Sequence, residues 1–396
     1  MKICFLSVFN FGSNIGGVEN HIFFLSNELK KLGNEIIIFQ PIEEEKYLEE
    51  IKFYNQIKVI YIPVKTPAIV KYLSKFNGNK LIGFFTAFLN KAKYILEYKR
   101  IANKILEYNC DIVHQHDFIS NIFTTKYLNK RKVKTVLTNH TGEYLFFQKN
   151  FFGRLLLKYF LSHYKFIIGP SKELTPIKYN KNSYTIYNGV NLEIFYELSK
   201  ERKEFIREKY HISPDDFVIL CPRRWAPTKG VIYLVESIVN YDYPENFKFL
   251  FAGSNYDGYP KYANKINQII QKSEKKNQII KLGNLSIEEM QEVYNIADIV
   301  IIPSLMEAVS LSAVEAMATG TPVISTNVGG MPELIENEVN GLLINPKSSK
   351  EIYEAIMKLT DKKLYEFIRN NSLHTAKNFS WAFIAKKTNN LYKEIL

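Results

Sequence analysis

A chain of 396 residues is too long for one ordinary α/β core, and it is expected to fold as two domains. Its composition, with 46% apolar and 23% charged residues, is that of a globular protein and excludes a largely disordered one. The formal net charge of +12 indicates anionic partners, but it does not choose among nucleotides, acidic lipid surfaces and nucleic acid.

The chain begins with a short apolar run after Lys2. This run lacks a small-residue cleavage site, so we interpret it as a first β-strand rather than as a signal peptide. No stretch approaches about 18 uncharged apolar residues, and the sequence therefore predicts no membrane span. The three cysteines, Cys4, Cys110 and Cys221, are odd in number, far apart and set in apolar runs. This pattern predicts buried thiols in a reducing cytosol, without a zinc site or a disulfide framework.

Short β-branched and aromatic runs alternate with helical patterns along the whole chain. This alternation is typical of βαβ units and predicts two doubly wound parallel sheets, with a domain boundary near residues 188–190. In such sheets ligands bind beyond the carboxyl ends of the strands. The predicted strands are 2–8, 35–40, 59–63, 111–116, 135–139, 166–170 and 184–188 in the first half, and 217–221, 248–252, 278–282, 299–303, 322–326 and 341–344 in the second.

The first predicted strand is followed by a glycine-containing loop and an amphipathic helix. Gly16 and Gly17 are adjacent in this loop, and paired glycines allow a backbone to approach a phosphate closely. A tight turn would need glycines as well, so both interpretations stay open. The loop lacks the spacing of a dinucleotide-binding fingerprint and the Lys-Ser/Thr of a P-loop, which disfavours a dehydrogenase and an ATPase.

Two histidines lie at the end of the predicted strand 111–116. Alternation places His114 and His116 on one face, with His116 at the carboxyl edge of the sheet. We interpret His114 as a hydrogen-bonded core histidine and His116 as a residue that faces a ligand site. No third ligand lies at a recognisable spacing, so the sequence predicts no metal site.

Two segments of the first half, 65–104 and 144–172, combine many lysines and arginines with aromatic residues. Glu97 is the only acidic residue in either segment. Such a mixture is typical of segments that adhere to anionic lipid. The alternative is that the aromatic residues are core and the basic residues are their solvated face.

In the second half, three cations precede a predicted helix. Arg223, Arg224 and Lys229 lie between the strand 217–221 and the helix 231–239. The N-terminus of a helix disfavours positive charge and its free amides bind anions, so a bound diphosphate would stabilise this arrangement. A solvated basic loop is the alternative.

A short apolar helix from Leu311 to Ala318 carries one carboxylate, Glu315. A carboxylate in a buried helix must be hydrogen-bonded or lose its charge, and the hydroxyls of a ribose could donate to it. Glu307 would face the same pocket, and the amides of Ser310 and Leu311 offer an anion site. A surface pair of glutamates is the alternative, which the apolar setting disfavours.

In this order the motifs resemble those of the retaining glycosyltransferases of family 4. The resemblance covers nearly the whole chain, and it implies the GT-B architecture, in which two Rossmann-like doubly wound parallel-sheet domains face each other across a cleft. The implied domains are 1–190 on the acceptor side, 191–375 for the nucleotide sugar, and a helix at 376–396 that crosses back. The matching segments are 16–19, 111–117, 170–171, 187–190, 224–230 and 307–315.

The resemblance also implies roles for single residues. Arg224 and Lys229 correspond to the residues that bind the donor diphosphate, and Gly17 brings its amide to the same phosphates. Glu315 corresponds to the ribose-binding glutamate and Glu307 to the one near the hydroxyls of the transferred sugar.

His116 corresponds to the histidine beside the donor sugar. The chain departs from the family pattern at two places: residues 308–310 are Ala-Val-Ser where many members have Gly-Phe-Gly, and Arg223 stands where many have glycine.

The sequence thus predicts a retaining glycosyltransferase that uses a nucleotide-diphosphate sugar, with UDP as the default, and needs no obligatory divalent ion. Cations and helix N-termini can stabilise the leaving diphosphate by several kcal/mol or so. The acceptor is unnamed; the basic aromatic segments favour a lipid-linked acceptor, peripheral association with an anionic membrane, and a cytoplasmic location at its inner face. The alternatives are an epimerase or a phosphorylase of the same architecture, and a nucleic-acid-binding protein, for which no motif is found.

Overall fold

The computed structural model describes residues 1–8, 17–43, 50–65, 91–140, 143–254 and 258–396. The chain divides into two compact units: Met1–Tyr187 together with Ile384–Leu396, and Asn188–Phe383. The sequence predicted divisions after residues 190 and 375, and the observed divisions follow Tyr187 and Phe383. No helix within the described ranges is long and apolar enough to cross a bilayer.

The first unit contains a sheet of eight strands in the order β3-β4-β2-β1-β5-β6-β7-β8. All its neighbouring strands are parallel except β3 and β4. The order reverses between β1 and β5, which makes this the switch point of a doubly wound sheet. The strands are β1 Lys2–Leu6, β2 Glu35–Glu43, β3 Glu50–Tyr54, β4 Ile57–Val64, β5 Ile112–Gln115, β6 Lys134–Thr138, β7 Ile167–Gly169 and β8 Ser183–Thr185.

The strand β3 was not predicted. It pairs antiparallel with β4 through a turn in which Asn55 and Gln56 have positive φ. Its side chains are mostly exposed, including Ile51 and Phe53. A strand at a sheet edge without a buried face lacks the hydrophobic pattern from which strands are predicted.

Described helices of the first unit have residues at their ends that stabilise a helix terminus. In the first of them Glu19 lies in the first turn, and Lys30 and Lys31 lie in the last, which complements the helix dipole. The side chain of Asn150 caps another by accepting from the amide of Gly153 at 2.6 Å. These helices are α1 Gly17–Lys31, α2 Tyr98–Leu106, α3 Ile122–Lys130, α4 Glu143–Gln148 and α5 Phe151–Leu161.

The prediction of three free cysteines is wrong for two of them. Strands β1 and β5 are adjacent, and this brings Cys4 and Cys110 together, with 6.0 Å between their Cα atoms and a disulfide bond between them. Their separation of 106 residues hid this pairing from the sequence. Cys221 is a buried thiol, as predicted, and burial raises its pKa to about 12. The cysteines therefore no longer support a reducing compartment.

The second unit contains a fully parallel sheet of six strands in the order β11-β10-β9-β12-β13-β14. The order reverses between β9 and β12, so this sheet is doubly wound too. Its strands are nearly continuous apolar runs because helices cover both faces. They are β9 Phe217–Pro222, β10 Phe247–Ala252, β11 Ile279–Gly283, β12 Ile299–Ile302, β13 Val323–Thr326 and β14 Leu342–Ile344.

The helices of the second unit complete the βαβ pattern, and each strand predicted from the sequence is confirmed to within a few residues. The last helix begins in the second unit and belongs to the first from Ile384 onward. The helices are α6 Lys200–Lys209, α7 Val231–Asn240, α8 Pro260–Gln271, α9 Ile287–Ile296, α10 Leu311–Ala318, α11 Met331–Leu334, α12 Ser349–Lys358, α13 Lys362–Lys377 and α14 Trp381–Ile395.

Candidate functional site

The candidate site of the second unit lies where the loops after β9 and β12 meet. Both loops leave the carboxyl edge of the sheet, on either side of its switch point. The amide of Leu305 donates to the carbonyl of Thr228 at 2.8 Å. Gly230 has a φ of 63°, and a Cβ at this position would overlap the carbonyl oxygen of Pro303. Glycine therefore allows the two loops to pack against each other.

Glu307 is the centre of a buried ionic cluster in these loops. Its Oε2 accepts from the ammonium of Lys229 at 2.8 Å and lies 3.4 Å from the guanidinium of Arg223. Burial alone would raise the pKa of Glu307, but Arg223 and Lys229 outweigh it and hold that pKa below its ordinary value. Glu307 is therefore ionised at neutral pH.

The cluster has an excess of positive charge. Burial is the main reason that the pKa of Lys229 is lowered, and Arg223 and Arg224 lower it further against the opposing effect of Glu307. Arg224 is exposed, and its side chain makes no hydrogen bond or ion pair within the described residues. Two cations thus pair with Glu307 and a third lies nearby without an ion pair among the described residues, so an added anion would stabilise the cluster.

Arg223 is the best-anchored of the three cations, and it also stands where many members of the family have glycine. It is buried, and its guanidinium donates to the hydroxyls of Ser310 and Ser312, the latter at 3.3 Å. Together with its contact to Glu307, these bonds hold the loop after β12 against the loop after β9. Arg223 therefore holds Ser310 and Glu307 in position.

The N-terminus of α10 meets the same cluster. Ser310 is its N-cap residue, but its side chain makes no cap hydrogen bond because it is bound to Arg223. The first amides of the helix, beginning with Leu311, are therefore not capped by the Ser310 side chain. The anion site predicted at Ser310 and Leu311 would therefore lie next to an excess of positive charge.

Glu315 lies one turn further along α10. Its neighbours Val314 and Ala316 are buried, and Glu315 as a residue is half-buried. Its Oε2 accepts from the hydroxyl of Tyr294, a fully buried residue of α9, at 2.9 Å. Burial raises the pKa of Glu315 although this hydrogen bond and Arg223 oppose the rise. Glu315 is therefore held in place and still reachable for a hydroxyl donor.

In the first unit, His114 and His116 follow the predicted alternation. His114 is fully buried, and both its ring nitrogens are hydrogen-bonded, Nδ1 to the hydroxyl of Tyr392 at 2.5 Å and Nε2 to that of Thr138 at 2.7 Å. His116 is also fully buried, and its Nδ1 lies 3.0 Å from Nε2 of His140. Burial, with the neighbouring histidines, lowers the pKa of His116 well below its ordinary value, so the ring is neutral.

The remaining predicted residues of the first unit are the glycines. Gly17 begins α1, and an added Cβ at this position would meet no atom within 4 Å. Gly16 lies outside the described residues. The structure thus brings Lys229, Glu307 and Ser310 into one cluster of the second unit, whereas Gly17 and His116 belong to the first.

A second ionic cluster, beside His116, was not predicted. Lys91 donates to Asp117 at 2.5 Å and to Glu143 at 2.6 Å. Asp117 also accepts from the amide of Ser120 at 2.7 Å, which shapes the turn after β5. The sequence showed the Asp117 carboxylate after a strand end, but its lysine partner precedes it by 26 residues.

Tyr294, His21 and His140 are the other residues that sequence reasoning missed. Tyr294 belongs to a different helix from Glu315, and only packing joins them. His140 follows β6 as His116 follows β5, so the parallel pairing of these strands was the available signal. For His21, on α1, the sequence carried no signal apart from its position after the glycine-containing loop.

Two family models match consecutive halves of the chain. Glycosyltransferase Family 4 matches residues 15–194, and Glycosyl transferases group 1 matches residues 202–375. An uncharacterized glycosyltransferase of Methanocaldococcus jannaschii is 33% identical over 211 residues, which are 52% of this chain and 53% of that protein. The alpha-monoglucosyldiacylglycerol synthase of Acholeplasma laidlawii is 24% identical, over 96% of this chain and 94% of that protein.

The fold is shared with solved structures over its full length. Anabaena HepE, solved in complex with UDP and glucose, superimposes with a TM-score of 0.73 at 17% identity, covering 99% of each chain. At this identity the likeness concerns the fold alone. With the two doubly wound parallel sheets, it confirms the predicted fold class, GT-B.

Proposed function

The chain belongs to the family 4 glycosyltransferases, and we propose that it transfers a sugar from a nucleotide-diphosphate sugar, with UDP as the default nucleotide, to an acceptor hydroxyl with retention of anomeric configuration. One observation carries this proposal. Arg223 and Lys229 pair with the carboxylate of Glu307 at the switch point of the second sheet, and Arg224 lies close enough to lower the pKa of Lys229. A diphosphate is an anion whose charge matches this excess of positive charge.

The donor would be held by three groups of the second unit. Arg224 and Lys229 contact the diphosphate, and the amides at Ser310 and Leu311 bind one of its oxygens. Glu315 accepts from the ribose hydroxyls, since its half-buried side chain is fixed by Tyr294. HepE, which shares the fold, was solved with UDP and glucose.

The reaction needs a stabilised leaving group. The bond between the anomeric carbon and the diphosphate oxygen breaks, the acceptor oxygen bonds to that carbon, and the acceptor proton passes to the released diphosphate. Arg224 and Lys229 stabilise the charge that develops on the leaving oxygens, an effect worth about 3–4 kcal/mol per well-placed donor. The ionised Glu307 accepts from hydroxyls of the transferred sugar. These cations supply the charge compensation, so we propose that catalysis needs no obligatory divalent ion.

Three residues of the first unit complete the proposal. As the family resemblance implies, we propose that Gly16 and Gly17 offer backbone amides to the phosphates; Gly17 is the first residue of α1. The same resemblance implies a place beside the donor sugar for His116, whose ring is neutral.

The acceptor side is proposed to adhere to an anionic membrane. On α5, five apolar residues are exposed next to the exposed Arg154 and Lys158, while Leu157 and Leu161 are buried. The exposed aromatic residues of this helix are not part of the buried core, and this supports the membrane proposal. The exposed residues are Phe151, Phe152, Leu155, Leu156 and Tyr159.

A helix with exposed aromatic and basic side chains is suited to the interface of an anionic bilayer. The other basic aromatic segment, 65–104, lies in part outside the described residues. The Acholeplasma relative is named for a glycolipid. We therefore propose a lipid-linked acceptor, reached at the inner face of the cell membrane, and no nucleic-acid partner.

A thermal-shift screen tests the donor proposal. UDP, GDP, ADP and their sugars are added in turn to the wild-type chain and to Glu315→Gln. A ligand at a hundred times its Kd stabilises the folded state by about 2.7 kcal/mol, so the correct nucleotide raises Tm. Glu315→Gln should bind it about 5- to 150-fold more weakly, because a charged acceptor of the ribose is lost.

Three outcomes would contradict the proposal. If none of these nucleotides raises Tm, the cluster does not bind a donor diphosphate. If the protein converts a nucleotide sugar without acceptor into its stereoisomer, it is an epimerase. Release of a sugar phosphate from a glycoside and inorganic phosphate would make it a phosphorylase.

A further inference from the structure

Three histidines of the first unit converge at the carboxyl edge of its sheet. His116 follows β5, His140 follows the adjacent parallel strand β6, and His21 lies on α1. Each ring offers one nitrogen, and these nitrogens lie within 4.8 Å of one another. We propose that His21, His116 and His140 form a binding site for a divalent transition-metal ion of the zinc class.

The distances fit an ion after a small movement of the rings. Because a Zn–N bond is about 2.0–2.1 Å, a tetrahedral ion holds its nitrogen ligands about 3.4 Å apart, so the rings need to converge by no more than about 1.4 Å. Nδ1 of His116 and Nε2 of His140 are already 3.0 Å apart. The ring centroids of His21 and His140 are 4.5 Å apart.

The hydrogen bond between His116 and His140 is what the ion would replace. One of the two rings donates to the other, and a tautomer change in the donor ring moves its proton to the other nitrogen of that ring. Among the described residues Nε2 of His116 has no hydrogen-bond partner. When Nδ1 of His116 binds the ion, Nε2 carries the proton of that ring.

The neighbouring groups define which ion fits. His114 is excluded as a ligand because both its nitrogens are hydrogen-bonded. Among the described residues the candidate metal-binding group contains no carboxylate, and Asp117 and Glu143 are both held by Lys91. Three imidazoles without carboxylates select zinc, copper or nickel over magnesium and calcium.

The fourth coordination position would be open. Three protein ligands leave one position of a tetrahedral zinc ion to water or another ligand. His21 and His116 are buried and His140 is partly exposed, so the ion has a route from solvent past the His140 ring. Metal binding here requires neither donor nor acceptor, and it goes beyond the transfer reaction proposed above.

Metal titration of the untagged, full-length chain tests the proposal. ZnCl₂ and CoCl₂ are titrated into metal-free protein and followed by calorimetry, and cobalt is also followed by its visible absorption. We expect one ion per chain, the absorption of four-coordinate cobalt, and no comparable binding of MgCl₂. His21→Gln and His140→Gln should each lower zinc affinity by about tenfold or more, since even the loss of a group that only orients a ligand costs 10- to 100-fold.

His374→Gln is the matched control, because His374 is an exposed histidine on α13 of the second unit. Its zinc affinity should equal that of the wild type. If wild-type protein binds no stoichiometric zinc, or if all three variants bind it alike, the proposal is overturned. Circular dichroism of the metal-free variants checks folding; if His21→Gln does not fold, His140→Gln decides, since its ring is partly exposed.

Discussion

Among single residues, the three cations that follow β9 differ sharply in their surroundings. Arg223 is buried against Glu307 and two serine hydroxyls, and Lys229 is held by Glu307. Arg224 is exposed and makes no hydrogen bond or ion pair within the described part of the chain. We therefore expect Arg224 and Lys229 to contact a diphosphate and Arg223 to hold Glu307 in position.

This assignment predicts the effect of two substitutions. Arg224→Ala and Lys229→Ala should each lower kcat by about tenfold to a thousandfold with the fold intact, because each removes a charge-assisted contact to the leaving group. Steady-state kinetics with the nucleotide sugar identified by thermal shift measures the effect. Lys265→Ala, which changes an exposed lysine of α8, is the control and should keep wild-type turnover.

Full activity in both Arg224→Ala and Lys229→Ala would contradict the proposal that this cluster binds the diphosphate. A loss that appears equally in Lys265→Ala would instead indicate a general effect of net charge.

At the scale of elements, α5 stands apart because its exposed face is apolar and basic. Phe152 is 77% exposed and Leu156 is 43% exposed, on a helix whose opposite face is buried. Exposed aromatic side chains cost free energy in water, and a bilayer interface would remove them from it.

Vesicle co-sedimentation tests the role of α5. The wild-type protein should sediment with anionic vesicles and not with neutral ones at low salt. Binding should weaken with added salt, because the Debye length falls to about 10 Å at 0.1 M. Phe152→Ser should lower binding by about 10- to 150-fold, since burying a phenylalanine side chain is worth about 1.5–3 kcal/mol.

The matched control is Phe205→Ser, which removes a phenylalanine of α6 that is 56% exposed. It should bind vesicles as the wild type does. Equal binding of neutral and anionic vesicles, or no effect of Phe152→Ser, would favour a soluble acceptor.

At the scale of the whole molecule, α14 is covalently part of both units. Its residue Tyr392 is fully buried in the first unit, where its hydroxyl bonds His114 and its ring lies 6.0 Å from that of Phe166. Asn389 accepts from the side chain of Asn34 at 3.0 Å. The helix α14 therefore contributes buried side chains to the core of the first unit.

Urea unfolding tests this contribution. Tyr392→Ala should lower the free energy of unfolding of the first unit by about 3–5 kcal/mol, because a large buried aromatic side chain is lost. Both tryptophans, Trp225 and Trp381, belong to the second unit. The transition followed by far-ultraviolet circular dichroism should therefore shift more than the one followed by tryptophan fluorescence.

Tyr196→Ala is the control, since Tyr196 is 49% exposed, and its unfolding should change by about 0.5 kcal/mol or less. An unchanged circular dichroism transition in Tyr392→Ala would contradict a structural role of this residue. Equal shifts by both probes would show that the two units unfold together.

The sequence by itself determined the fold class and most of the strands. A buried parallel strand is a continuous apolar run, and this signal is carried by neighbouring residues without reference to the rest of the chain. The same holds for the cations around Arg224 and for Glu307 and Glu315, which lie in compact motifs next to strand ends. These features could be predicted because the information for each is local.

Only the tertiary structure decided which distant groups meet. The disulfide of Cys4 and Cys110, the convergence of His21 with His116 and His140, and the hydrogen bond from Tyr294 to Glu315 all join separate elements. The edge strand β3 also depends on its partner, since no face of it is buried. Such contacts follow from strand order and helix packing, which a pattern of nearby residues does not encode.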